Sequence, residues 1–295
     1  GNSSLSELVT AEGLGAGAPG MLGRYAGMLA LLVLFAALTY RKAPERKHAL
    51  TKPPKKRLSK RTIWTAVAVF LLIPATLLLG FQVWQVKNYY VLAVAVLLEA
   101  MIPFFLIFEG RKPQARELVV IAVLCALNIA GRAALFRLPE FKPVVAMTIL
   151  AGVAFGGETG FLVGAMTMLV SNMLFSQGPW TPWQMFAMGL IGFLGGVCFH
   201  NGPLRQSRLS LAIFGAVCSV LIYGGIMNPS TALIWARTLD WKVLLSYYLT
   251  GIPWDLVRGA ATALFLWFGA EPMLEKLERI QIKYGLMEHR ENAER

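Results

Sequence analysis

Asn128 and Arg132 stand four residues apart in one apolar run, and Asp255 and Arg258 stand three apart in another. Spacings of three and four put two side chains on one face of a helix, so each pair presents polar groups together from a single apolar rod. A guanidinium offers a rigid fork of donors, a carboxylate accepts, and an amide does both. This is the chemistry of holding an organic ligand. Asn172, Gln184 and Tyr223 add hydrogen-bonding groups, and Trp180, Trp183 and Trp254 add flat apolar area. A few fixed polar groups among aromatic walls suit a bulky solute. The competing reading is an interfacial aromatic belt with Asp255 and Arg258 as a structural pair. Glu99, a lone carboxylate in an apolar stretch, reads either as an ion-binding group or as a side chain bonded to a neighbouring helix.

Bond-making chemistry has no visible residues. No GxxxxGK[ST], HExxH or GxSxG segment occurs, so no catalytic residue is nominated and the chain reads as a non-enzyme. Any energy from ATP must come from another subunit. Cys125, Cys198 and Cys218 lie in apolar runs without CxxC spacing, and His48, His200 and His289 are far apart. Neither a disulfide framework nor a metal site is indicated, and no cofactor is expected. Gly15, Gly17 and Gly20 match GxGxxG in letters only, because no strand precedes them and a membrane span follows.

The elements that must position these groups are membrane helices. Of 295 residues, 56% are hydrophobic and 15% charged, against about 25% charged in soluble proteins. A net charge of +12 would suggest nucleic acid in a soluble chain, but here the charges sit between apolar segments. Residues 1–20 are glycine-rich, lack Lys and Arg, and read as a flexible external segment. A three-span region, 21–110, follows, with spans at 21–40, 63–84 and 90–108. Its loop 41–61 carries ten Lys or Arg and one Glu; such a run is a topology signal and a lipid-headgroup contact, not a nucleic-acid site. Six further spans, at 118–136, 143–155, 159–175, 183–199, 209–227 and 244–268, make a core at 116–270, and 271–295 form a tail. The expected fold is therefore an all-α integral membrane protein of about nine spans. Threading them from an external N-terminus places about twenty basic residues inside and five outside, namely Lys87, Arg137, Lys142, Arg237 and Lys242. That balance predicts a multi-pass plasma-membrane protein of a prokaryote with its C-terminus in the cytoplasm.

Ala122, Ala126 and Ala130 fall within about 80° of one another on the first core helix, and Asn128 and Arg132 lie roughly 200 to 240° away from Ala126. The helix so predicted has a partner surface of small residues on one side and a ligand surface on the other, with an Arg132 that snorkels to the outer interface as the alternative. Gly160 with Gly164, and Gly192 with Gly196, stand at GxxxG spacing and predict close helix packing. Between two of these helices runs SNMLFSQGPWTPWQMF, residues 171–186, whose Gly178-Pro179 and Thr181-Pro182 steps stiffen the connection and hold Trp180 and Trp183 at the surface.

Six spans, an AxxxA first helix, GxxxG helices and the segment SNxxFxQGPWTPWQM together resemble the integral-membrane substrate-binding (S) components of energy-coupling factor (ECF) vitamin transporters. The resemblance covers residues 116–284, leaving the three leading spans outside the family pattern. It implies a high-affinity vitamin receptor that captures its ligand outside and works with a membrane scaffold (T) subunit and two cytoplasmic ABC-type ATPases. It implies scaffold docking by Ala122 and Ala126, with Ala130 continuing the stripe, and a pocket-closing loop at 176–183. The substrate expected is a vitamin or related micronutrient, with cobalamin or another corrinoid as the guess. The alternative is a self-contained secondary transporter of an organic solute, with Glu99 or Asp255 binding the coupling proton or ion.

Overall fold

The computed structural model describes residues 115–200, 204–236 and 241–283, together with residues 67, 71–76, 79, 91, 95, 98 and 99. Among these the regular structure is entirely helical. The expected external segment, first span and basic loop lie outside the described residues. The second and third spans are described only in the short helical pieces just given. There Thr76 Oγ1 donates to Glu99 Oε1 at 2.5 Å, a helix-to-helix hydrogen bond of the kind the structural reading of Glu99 requires.

Six helices follow: α1 (Ala115–Ala134), α2 (Val144–Phe155), α3 (Gly157–Phe175), α4 (Thr181–His200), α5 (Arg208–Trp235) and α6 (Trp241–Lys283). Each overlaps one of the six expected core spans, α5 and α6 extending beyond theirs, and α3, α4 and α5 are each long and apolar enough to cross a membrane. The alternation of connections places the α1–α2 and α3–α4 loops at one end of the bundle.

The centre is built from α2, α3 and α4. In α2 the residues Val144, Val145, Ile149, Leu150 and Val153 are all buried, so this short helix is wrapped on every side. It stops at Gly156, whose φ of 99° lies where a side chain would be strained. The carbonyls left open at its end are taken up by other helices: His200 Nδ1–H donates to Val153 O at 2.9 Å, and Gln281 Nε2 donates to Ala154 O at 2.7 Å. Glu158 then falls in the first turn of α3, where its charge suits the helix dipole.

Glycine sets how closely α3 and α4 approach. A methyl group on Gly160 would overlap the carbonyl oxygen of Gly192, one on Gly192 would overlap that of Gly160, and one on Gly164 would overlap that of Met188. The GxxxG expectation is met here in backbone-to-backbone contact.

Helix α5 runs past its expected end at 227. It contains a widened π-helical segment, Cys218–Gly224, and continues through Pro229 to Trp235. A proline cannot donate to the carbonyl four residues earlier, here Gly225. That carbonyl instead accepts from Tyr248 Oη on α6 at 3.0 Å, so the proline leaves no acceptor unpaired there. Helix α6 likewise passes through Pro253 and Pro272 to Lys283, and the start of the expected tail is its continuation.

The outer surface is apolar. Leu209, Ile213, Val217 and Leu221 form an exposed stripe along α5, and Trp241, Leu245, Leu249 and Leu256 do so on α6. Apolar stripes of this extent face lipid.

Candidate functional site

Two polar clusters lie toward the loop end of the bundle shared by the α1–α2 and α3–α4 connections. The first is built on α1. Arg132 Nη1 donates to Ser171 Oγ at 2.5 Å and to Asn172 Oδ1 at 2.8 Å, both on α3. Asn172 Nδ2 passes the chain on to α4, donating to Thr181 Oγ1 at 3.0 Å and to Gln184 Oε1 at 2.7 Å. The Arg132 guanidinium lies 5.6 Å from the centroid of the Phe175 ring, which stacks on Phe136. One turn deeper on α1, Asn128 is fully buried. Its Nδ2 donates to Thr148 Oγ1 at 3.0 Å and to Thr167 Oγ1 at 3.4 Å, while its Oδ1 has no partner among the described residues.

The second cluster joins α5, α6 and the α1–α2 loop. Arg258 Nη1 donates to Asp255 Oδ1 at 2.6 Å, and its Nε donates to Glu140 Oε2 at 2.8 Å. Asp255 Oδ2 also accepts from Asn228 Nδ2 at 2.8 Å. The guanidinium lies 4.2 Å from the centroid of the Tyr223 ring. These contacts depend on two glycines: a side chain at Gly224 would overlap the Asp255 carboxylate, and one at Gly251 would overlap the Asn228 amide. Glu140 reaches Arg258 from a backbone with φ of 59°, a left-handed conformation that L residues other than glycine, Asn and Asp seldom adopt.

Tyr223 links the two clusters, lying within electrostatic reach of both Arg132 and Arg258. Lys142, in the same loop as Glu140, is within reach of Glu140, Arg132 and Arg258. Burial pushes its ammonium below the usual lysine range, with Glu140 opposing that shift and the two guanidinium groups adding to it.

Of the residues expected at the site, Arg132, Asn172 and Gln184 share one hydrogen-bond chain, and Tyr223, Asp255 and Arg258 share the other cluster. Asn128 sits on the same face of α1 as Arg132. Trp183 is buried in the main core, whereas Trp180 is half-buried in the α3–α4 connection with its ring against Gly178. Trp254 is exposed on α6 and points away from its buried neighbour Asp255. The alanines Ala122, Ala126 and Ala130 are all exposed, on the side of α1 opposite Asn128. Sequence reasoning missed Glu140, Ser171, Thr181 and Asn228. Asn228 had a signal, a lone amide in an apolar run, but Glu140 sat in a loop with nothing to mark its partner.

The family model for the ECF-type riboflavin transporter S component matches residues 112–267. The chain belongs to that S-component family. The match runs from just before α1 into α6 and contains both clusters. A UPF0397 protein of Vibrio atlanticus is 29% identical over 122 residues, covering 39% of this chain and 66% of that protein. A UPF0397 protein of Aliivibrio salmonicida is 33% identical over 106 residues, 34% of this chain and 56% of its own length. The folate transporter FolT of Clostridium novyi is 24% identical over 129 residues, 44% of this chain and 70% of that protein. The chain spans about half to two thirds of the length of the UPF0397 relatives it matches. No solved structure matches it. As an ECF S component with lipid-facing apolar helices, it is a multi-pass membrane protein of the transport class.

Proposed function

We propose that this S component is the high-affinity substrate-binding subunit of an ECF-type ABC importer, taking a vitamin-sized organic solute from outside the cell. The observation that carries the reading is the gathering of polar groups from α1, α3, α4, α5 and α6 into two clusters, coupled through Tyr223, at one end of the bundle. The basic-residue balance makes that end external and the C-terminus cytoplasmic. Arg132, Asn172, Gln184 and Tyr223 are the proposed polar contacts. Asp255 and Arg258 order the opposite wall, Asn128 lies beneath Arg132, and Trp180 closes the mouth from the α3–α4 loop. The exposed Ala122, Ala126 and Ala130 stripe is the proposed docking face for the scaffold subunit, which carries two cytoplasmic ATPases. Small residues there let a second helix approach closely without disturbing the inner face.

The family's name supports riboflavin as substrate and one relative's name supports folate, so a flat heterocycle takes precedence over the corrinoid expected from sequence. The region 21–110 is proposed as a separate membrane segment ahead of the S-component core. Mass spectrometry of small molecules copurifying with the protein tests the substrate. Uptake by proteoliposomes holding this chain, a scaffold subunit and both ATPases tests the mechanism. ATP-dependent uptake is expected; uptake that tracks an ion gradient without ATPases refutes the reading in favour of a secondary transporter.

A further inference from the structure

The two arginines of the site are held in opposite ways. Arg258 is matched: one carboxylate on α6 and one from the α1–α2 loop both contact its guanidinium. Arg132 is hydrogen-bonded but not neutralised. Its two side-chain partners among the described residues, Ser171 and Asn172, are uncharged, and both are reached from Nη1 alone. These contacts fix the plane of the guanidinium and leave its Nε and Nη2 edge without a protein partner among the described residues. That edge is the one that grips a carboxylate or phosphate through two parallel hydrogen bonds.

Charge balance points the same way. Glu140 lies within electrostatic reach of Arg132, Lys142 and Arg258, Lys142 also of both guanidinium groups, and Asp255 of Arg258, so the group holds three cations against two carboxylates. Both carboxylates are committed to Arg258, so the surplus positive charge sits toward Arg132 and Lys142. The Phe175 ring, stacked on Phe136, lies beside the same guanidinium and adds apolar surface there. A cation placed beside apolar groups in this way is stabilised by a counter-charge.

From this arrangement we infer that the solute carries an anionic group, a carboxylate or a phosphate, and that Arg132 is the residue that receives it, while Arg258 serves as a neutralised structural clamp. The inference rests on the proposed reading of the chain as a substrate-binding subunit.

Matched pairs of probes test it, titrated calorimetrically into the full chain in dodecyl maltoside, where no added lipid phosphate competes. The pairs are riboflavin 5′-phosphate with riboflavin, folate with its dimethyl ester, and cyanocobalamin with dicyanocobinamide, which lacks the phosphodiester. In the pair that binds, the anionic member should bind at least tenfold tighter, and the identity of that pair separates phosphate from carboxylate. Arg132→Gln should abolish that ratio, and Arg132→Lys should keep part of it. Because the readout is a ratio within one preparation, partial misfolding of a variant does not imitate the effect. Equal binding of the two members, or a ratio that survives Arg132→Gln, overturns the inference and leaves the transport reading standing. Failure of all six probes to bind overturns both.

Discussion

Removing the partners of Arg258 one at a time should produce unequal losses, and the inequality follows from exposure. The side chains of Arg258 and Asp255 are 11% and 6% exposed, whereas that of Glu140 is 36% exposed. Asp255→Ala strips a buried guanidinium of its α6 carboxylate and leaves the Asn228 amide without its acceptor. Removing one member of a buried pair costs about 3–5 kcal/mol. Glu140 remains in place, so a loss of about 2–3 kcal/mol is expected. Glu140→Ala removes a contact open to solvent and should cost about 1 kcal/mol or less. Glu140→Gly removes the same contact but also relieves the φ of 59°, which is worth about 1 kcal/mol relative to alanine. The expected order of stability is therefore wild type and Glu140→Gly together, then Glu140→Ala, then Asp255→Ala well below. Thermal unfolding in dodecyl maltoside, followed by tryptophan fluorescence, measures it. If Glu140→Ala is as damaging as Asp255→Ala, the exposure argument is wrong. If Glu140→Gly is less stable than Glu140→Ala, the backbone at 140 is not strained.

Three further outcomes are expected. Gly192→Ala should cost about 1–3 kcal/mol, because its methyl meets the Gly160 backbone, which cannot rotate aside; Gly269→Ala, with nothing within 4 Å, should be neutral or stabilising, and the yield of monodisperse protein reads both. Ala126→Leu, on an exposed face, should leave the melting temperature and ligand binding unchanged while abolishing copurification with scaffold and ATPases; intact assembly would remove the docking proposal. Trp180→Ala should speed ligand dissociation with little loss of stability, whereas Trp183→Ala should cost about 3–5 kcal/mol because that ring is core; unchanged dissociation from the Trp180 variant would sink the lid.

The sequence alone determined what depends on one-dimensional pattern. Hydrophobic run length located α3, α4 and α5, since about 20 apolar residues are needed to cross a bilayer whatever their neighbours, while the shorter α2 was marked by an apolar run closed at Gly156-Gly157. The helical period put Asn128 and Arg132 on one side of α1 and the alanines on the other, and GxxxG spacing located the α3–α4 contact. Helix ends were less legible. Pro229 reads as a stop, and it is not one because Tyr248, nineteen positions away, takes up the carbonyl it frees. Only the tertiary structure decided how the polar groups are partnered. Glu140 and Arg258 are distant in the chain and share no periodic signal, so their pairing exists only once the α1–α2 loop folds over α6. The same packing sent Trp183 into the core and left Trp254 outside, although both are tryptophans near the same end. It also distinguished two arginines that look alike in sequence: one is closed by two carboxylates and the other held by neutral groups, a difference set by which helices meet and not by the residues beside either one.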